Sequence, residues 1–96
     1  MSDMNKSELI KRVSRETKCS TSVVSKVVEA TLFTITDEVA QGGKVVLSGF
    51  GTFDTAIRKQ KMGRNVKAGE PMVIPQYISP VFRCGERLKR ACRKEV

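Results

Sequence analysis

The chain has 96 residues, a formal net charge of +8 at pH 7 and no histidine, a length that indicates one domain with a modest core. Because histidine is absent and the acidic residues are scattered, a Ser-His or Cys-His nucleophile pair is excluded and an enzyme is not expected. Three cysteines without a CxxC pair predict no disulfide framework, metal site or cofactor, and no apolar run approaches the roughly 18 residues of a membrane span.

The first predicted element is a helix from about Lys6 to Lys18. Asn5 is a suitable N-cap, with Glu8 three residues later as in a capping box. Three apolar residues share one face at helical spacing: Leu9, Ile10 and Val13. The preceding residues contain no apolar segment typical of a secretory signal, which favours a cytoplasmic protein.

A second helix of about twenty residues is predicted between Ser20 as N-cap and a stop at Gly42 or Gly43. Its valines and threonines would suit a strand, but the stretch is too long for one strand and its apolar residues step by three and four. These residues are Val24, Val28, Leu32, Ile35 and Val39. Phe33 widens the apolar stripe, which predicts packing on both its own chain and a partner chain.

The period then changes to that of strands. A strand is predicted from Lys44 to Leu47, a turn at Ser48–Gly49, and a second strand from about Gly51. A third candidate strand is "MVIPQYISPVFR". Its two central prolines, at positions 75 and 80, lack an N–H, so this strand must lie at an edge or be interrupted.

Between the second and third strands, the stretch "KMGRNVKAGEP" predicts the tip of a long basic hairpin. Residues 1–57 contain seven Lys and Arg and seven Asp and Glu, whereas residues 58–96 contain eleven and three and so carry the whole excess charge. This asymmetry favours a polyanionic partner over a basic face that only aids solubility. A two-stranded ribbon fits a DNA groove, and Val66 is either an apolar wedge between bases or a turn residue without contacts.

The last element, "CGERLKRACRKEV", predicts a short basic helix with a narrow apolar face. The chain is therefore interpreted as one domain. Its helical part covers about residues 4–43, its sheet and hairpin about 44–83, and its C-terminal helix about 84–94.

Several of these motifs together resemble the bacterial HU/IHF family of histone-like DNA-binding proteins, and its HU branch more closely. They are "MNKSELI", "GFGTF", "GRN", and "PVF" leading into "GERLK". The resemblance implies an α+β fold and an intertwined dimer, either a homodimer or a heterodimer with a paralogue. Each chain would contribute two N-terminal helices, a three-stranded antiparallel sheet with a long β-hairpin arm, and a short C-terminal helix. The arms would embrace the DNA minor groove.

The resemblance also implies roles for individual residues. DNA-binding roles are expected for Lys6, Arg58, Lys59, Lys61, Arg64, Asn65, Val66, Lys67 and Lys89. Core and dimer-interface roles are expected for Phe50, Phe53 and Phe82, and the wide apolar stripe adds Phe33. Two positions depart from the family pattern. Val66 replaces the usual intercalating proline, and Glu86 replaces a lysine that often meets phosphate, so Glu86 is left out of the site.

The leading hypothesis is an architectural protein of the nucleoid that binds and bends double-stranded DNA with little sequence preference. It should prefer bent, nicked or gapped DNA, because part of the deformation cost is then already met. One alternative is a sequence-selective bender like the IHF branch. Another is a basic interaction module for an acidic protein or an anionic membrane. RNA binding by base stacking is weakly supported, because Tyr77 is the single tyrosine.

Overall fold

The computed structural model describes residues 3–65 and 69–94, and for residues 64, 65 and 70 it describes the backbone alone. Two compact units are present, residues 1–37 and 38–96. The elements are α1 (Lys6–Thr17), α2 (Thr21–Ala40), β1 (Val45–Leu47), β2 (Gly51–Arg58), β3 (Lys61–Asn65), β4 (Glu70–Ile74), β5 (Tyr77–Cys84) and α3 (Glu86–Cys92). The predicted α+β class is confirmed.

The caps of the two long helices are those that the sequence predicts. The Asn5 side chain accepts a hydrogen bond from the Glu8 N–H at 2.8 Å, and the Ser20 hydroxyl accepts one from the Val23 N–H at 3.2 Å. After α2, Gly42 adopts a φ of +89°, a left-handed conformation that favours glycine. The N–H of Gly43 then bonds back to the Glu38 carbonyl at 3.0 Å and closes the helix end.

The threonines within helix α2 bond to its own backbone. Thr31, Thr34 and Thr36 each donate to the carbonyl four residues earlier, at 2.7–2.8 Å. Such bonds satisfy the hydroxyl but slightly weaken a helix. The helix forms nonetheless, as the spacing of its apolar residues predicts.

The second unit contains a three-stranded antiparallel sheet in the order β1-β2-β5. A turn containing Gly49, with φ +84°, joins β1 to β2. The register places Val45 opposite Phe53 and Phe53 opposite Phe82, so these side chains share one face of the sheet. Gly51 at the start of β2 is buried, and a Cβ there would lie 2.7 Å from the Arg83 carbonyl oxygen.

The third predicted strand is two strands, because the chain leaves the ladder at Pro75 and Gln76. Strand β4 pairs with β3 as a separate two-stranded sheet, from Lys61↔Ile74 to Asn65↔Glu70. Strand β5 forms an edge of the three-stranded sheet and contains Pro80. Both proline-containing strands thus pair on one side only, as the missing N–H groups require.

The C-terminal helix is shorter than the predicted span of residues 84–94. Its N-cap is Gly85, and Cys84 is the last residue of β5 rather than the first of the helix. The Gly85 N–H donates to the Phe50 carbonyl at 2.7 Å, and a Cβ at Gly85 would crowd that same oxygen at 2.9 Å. This close approach fixes where α3 begins.

Very little apolar surface is buried within the single chain. Val24 is the one buried apolar side chain among the described residues. Phe33 is 71% exposed and so does not lie in a core of the single chain; its predicted place in a dimer interface stays a prediction. None of the described helices has the length and apolar character needed to cross a membrane.

Candidate nucleic-acid interface

The basic arm is defined here as residues 58–77, which include the β3–β4 ribbon and the residues that join it to the three-stranded sheet. Three cations lie along its first half: Arg58 ends β2, Lys59 follows it, and Lys61 begins β3. All three side chains are exposed, and none forms an ion pair with a carboxylate whose position the structure describes. These charges are therefore available to an external polyanion.

The remaining predicted arm residues lie towards its far end. The backbones of Arg64 and Asn65 pair with Pro71 and Glu70 in the last two rungs of the described ladder. Val66 and Lys67 lie outside the described residues. The DNA-binding roles of all four residues stay predictions.

The arm also carries apolar side chains that the sequence reasoning did not assign to the site. Met62 and Val73 face each other across the ribbon and are 65% and 52% exposed. An apolar cross-strand pair beside cations suits a groove, whose walls include apolar sugar and base surface. The pair could not be found from spacing alone, because it depends on the register of β3 against β4.

Lys6 is the first residue of α1, and its ammonium is already paired. Its Nζ lies 2.6 Å from Oε1 of Glu29, on α2, and both side chains are about half exposed. Exposed ion pairs of this kind contribute only about 0–1 kcal/mol to stability. A phosphate can therefore compete with Glu29 for this lysine.

Lys89 lies in the last turn of α3 and is exposed. Its neighbour Arg87 places its guanidinium over the turn at Gly49, within 4 Å of the position that a Cβ would occupy there. Glu86 occupies the first turn of the same helix, where a carboxylate interacts favourably with the helix dipole. This placement gives Glu86 a structural use, and its exclusion from the anion-binding residues stays a prediction.

The three predicted core phenylalanines form one cluster that supports the sheet. The Phe53 and Phe82 ring centroids are 4.7 Å apart, and those of Phe50 and Phe82 are 5.6 Å apart, both pairs in tilted arrangements. Aromatic pairs of this geometry add about 0.5–1.5 kcal/mol beyond the burial of their area. Phe50 and Phe82 remain partly exposed, which leaves surface that a second chain can contact. Their role in a dimer interface stays a prediction.

An ion pair on the sheet was also missed by the sequence reasoning. Arg83 of β5 donates from Nη1 to Oδ2 of Asp54 on β2 at 2.8 Å. The backbone N–H of Thr55, which bonds Asp54 Oδ1, and then the Arg83 hydrogen bond lower the pKa of Asp54, against the opposing effect of its partial burial. The two residues are 29 positions apart, and no local pattern connects them.

The sequence also matches a known protein family. The family model for bacterial DNA-binding proteins matches residues 4–93. The chain belongs to this family. Its relatives include the HU-beta protein of Neisseria meningitidis serogroup A, 43% identical over 88 residues that cover 92% of this chain and 99% of that protein. The HU protein of Geobacillus stearothermophilus is 40% identical over 90 residues, which cover 94% of this chain and all of that protein.

Solved structures of HU proteins share the fold. A structure described as an Anabaena HU–DNA cocrystal superposes with a TM-score of 0.89 at 38% identity, over 92% of this chain and 96% of that one. HU from Thermotoga maritima gives a TM-score of 0.67 at 30% identity, over 94% of this chain and all of that one. The HU resemblance and the HU-like fold are thereby confirmed.

Proposed function

We propose that this family member is an architectural protein that binds double-stranded DNA with its basic arm in the minor groove and bends or compacts it. The observation that carries the proposal is the basic arm, whose first half has three exposed cations free of described carboxylate partners. Its relative in the Anabaena cocrystal is described as bound to DNA. No enzymatic activity is proposed.

The binding mechanism follows from the charge distribution. Cations along the arm neutralise phosphates and release condensed counterions, a contribution that does not depend on sequence. Lys6 and Lys89 would add phosphate contacts outside the arm. The tip residues Arg64, Asn65, Val66 and Lys67 would enter the groove, where an apolar side chain can separate base steps and bend the duplex.

We also propose that the working form is a dimer, in which a second copy of the chain or a paralogue covers the apolar surface. Helix α2 exposes four large apolar side chains in the single chain: Val23, Val27, Leu32 and Phe33. With so few apolar side chains buried among the described residues, this exposed apolar surface favours a partner chain. A second copy is the occupant that suits it, because an isologous contact would cover the same surface on both chains.

The direct test of DNA binding is a titration of labelled plain and nicked duplexes by fluorescence anisotropy at several salt concentrations. Tight binding is expected near 0.1 M salt, with a preference for the nicked duplex. The logarithm of affinity should fall linearly with the logarithm of salt, with a slope of about −0.9 per phosphate neutralised. Salt-insensitive binding would contradict the proposal.

The alternatives give different outcomes in the same series. Selection from a random DNA pool that converges on one consensus would favour a sequence-selective bender. Absence of binding to any duplex, together with binding to anionic vesicles or to an acidic protein, would favour an interaction module. Retention of the protein with isolated nucleoids would support the proposed location in the cytoplasm.

The dimer is tested by light scattering at micromolar concentration. A chain of 10.7 kDa should then be measured at twice that mass. Phe33→Asp places a charge on the exposed apolar side of α2 and should shift the population towards monomer. Ser7→Asp makes the same change in charge at an exposed position of α1, is the control, and should leave the mass unchanged. A monomeric wild type would contradict the dimer while leaving DNA binding open to its own test.

A further inference from the structure

One face of the three-stranded sheet has a charge arrangement that the proposed function does not use. Side chains alternate along a strand, so the face opposite Phe53 and Phe82 carries Asp54 from β2 and Arg83 from β5. Asp54 pairs with Val81 and Arg83 with Thr52, which makes the two charged residues diagonal neighbours. Asp54 is the one carboxylate in the sequences of β1, β2 and β5.

Both oxygens of the Asp54 carboxylate are engaged. Oδ1 accepts the backbone N–H of Thr55 at 2.8 Å, and Oδ2 accepts Nη1 of Arg83 at 2.8 Å. The Asp54 side chain is 29% exposed and that of Arg83 is 60% exposed. The carboxylate is thus fixed to the sheet backbone, whereas the guanidinium it holds remains largely in solvent.

We propose that Asp54 is an intramolecular competitor for Arg83, which holds the guanidinium away from DNA phosphate and thereby lowers the affinity of the chain for DNA. This inference rests on the proposed DNA-binding function. It assigns Arg83 as a phosphate-binding residue and Asp54 as the residue that limits its use.

The chemistry of the two partners makes them competitors. A carboxylate and a phosphate both accept paired hydrogen bonds from a planar guanidinium. Arg83 therefore cannot form its strongest hydrogen bonds with both at once. Because the Thr55 N–H anchors Asp54, the carboxylate cannot move away when Arg83 turns outward. Its charge then stays beside the incoming phosphate and repels it. Lys44 also acts electrostatically on Asp54 and offsets part of that repulsion.

A role in folding stability alone accounts for this ion pair less well than competition with phosphate does. Ion pairs with an exposed partner contribute little to folding and are screened by salt. The hydrogen bond from the Thr55 N–H to Asp54 does not require a charge, because an asparagine can accept it through Oδ1. Asp54→Asn should therefore remove the competitor and leave the sheet intact.

The test is a double-mutant cycle on DNA binding with Asp54→Asn, Arg83→Gln and the double variant in the full chain. Asp54→Asn should bind plain duplex about two- to fivefold more tightly at 0.1 M salt, the range measured for exposed charge pairs. Its log–log salt slope should steepen by about 0.9 per chain, as for one more phosphate neutralised by each Arg83. In the Arg83→Gln background the same substitution should change both quantities much less, because only the direct repulsion between Asp54 and phosphate is then removed.

A charge-matched control is available on α1. Glu16 pairs with Arg12 at 3.1 Å, both side chains are exposed, and Glu16→Gln makes the same change in net charge as Asp54→Asn. It should alter affinity by less than about 1.5-fold, because screening weakens distant exposed charges. An equal gain from Glu16→Gln would assign the effect to net charge and overturn the inference.

Three further outcomes would overturn it. Weaker binding by Asp54→Asn would show that Asp54 positions Arg83 for DNA instead of withholding it, and an undiminished gain in the Arg83→Gln background would show that Arg83 is not involved. If Asp54→Asn does not melt as a folded protein, Asp54→Ser serves in its place, since a hydroxyl can also accept the Thr55 N–H. Absence of DNA binding by the wild-type protein would contradict the proposed function itself. Unchanged binding by Asp54→Asn would contradict this inference alone.

Discussion

The three-stranded sheet and the basic arm are continuous in sequence but use their charges differently. In the sheet, Arg83 forms an ion pair with Asp54. Phe82 packs closely against Gly51 and Phe53. In the arm, Arg58, Lys59 and Lys61 have no described carboxylate partner. Residues 58–77 contain five Lys and Arg against one Glu.

This difference separates two tasks. The packed face of the sheet holds the strands in register, so changes there, unlike Asp54→Asn on the opposite face, should act mainly on stability. The arm leaves its cations and its Met62–Val73 pair in solvent, so changes there should act mainly on binding. The variants below test whether the two tasks can in fact be separated.

The largest effect on stability is expected from Gly51→Ala. The added Cβ would meet the Phe82 ring and lie 2.7 Å from the Arg83 carbonyl oxygen, and backbone atoms cannot give way cheaply. Overpacking of this kind costs about 3 kcal/mol. Chemical denaturation at a fixed protein concentration measures the loss, since an oligomer's stability depends on concentration.

Gly42→Ala is the matched control for that variant. Gly42 has a φ of +89°, but no atom lies within 4 Å of its missing Cβ, so the substitution costs backbone strain alone, about 1 kcal/mol. Equal losses for both variants would mean that the close approach between β2 and β5 is not what makes Gly51 necessary.

The next effect concerns the arm. Arg58→Gln combined with Lys61→Gln should lower affinity for duplex DNA by about 10- to 100-fold. It should reduce the log–log salt slope by about 1.8 per chain, the value for two phosphates, and by twice that in the proposed dimer. Its unfolding free energy should stay within about 0.5 kcal/mol of wild type, because both side chains are exposed. Anisotropy titrations and denaturation on the same preparations give both numbers.

Lys18→Gln combined with Lys26→Gln provides the same loss of charge on exposed positions of the helical region. This pair should reduce affinity far less. If it weakened binding as much as the arm variant, net charge would control the interaction and the arm would have no special position in it.

Much of the fold was predictable because its signals are local. Asn5 and Ser20 cap their helices as the sequence indicates, and the prolines of the third strand mark edges and an interruption. The start of α3 was placed one or two residues early, since the choice between Cys84 and Gly85 is decided by the contact of Gly85 with the Phe50 carbonyl.

The site was predictable only in part, for a physical reason. Cations along one hairpin are visible as a run in the sequence, and the family motifs place them on an arm. Partnerships across strands are not visible, because they depend on register: Asp54 reaches Arg83 over 29 positions, and Met62 meets Val73 only in the observed pairing. Sequence reasoning therefore found the cations of the arm and missed the pairs that form across strands.

A smaller effect is expected at the tip, where Val66 lies outside the described residues. Val66→Pro fixes φ near −65° and removes a backbone donor, which should pre-shape the tip and increase DNA bending within the roughly 20–90° range of apolar wedges. Val66→Ala shortens the wedge and should decrease bending. Energy transfer between dyes at the ends of intact and nicked duplexes measures both. An unchanged bend angle in Val66→Pro would show that proline rigidity is not what matters at this tip.

The smallest effect is the pH dependence of sheet stability. The Thr55 N–H and the Arg83 guanidinium lower the pKa of Asp54 below the ordinary aspartate value of 3.8. The unfolded chain therefore takes up this proton at a higher pH than the folded chain does. The stability that ionised Asp54 contributes is present in full above the ordinary value and is lost as pH falls through the folded value.

Wild type and Asp54→Asn can be compared by denaturation from pH 7 to about pH 2 to isolate this contribution. The advantage of wild type should be constant down to about pH 5 and should shrink below about pH 4. An advantage that stayed constant to the lowest pH would show that the sheet does not favour the ionised carboxylate. A small stability difference at neutral pH, alongside a severalfold gain in DNA affinity for the same variant, would place the main effect of the Asp54–Arg83 pair in binding. The sheet would then help to control the DNA binding that is proposed for the arm.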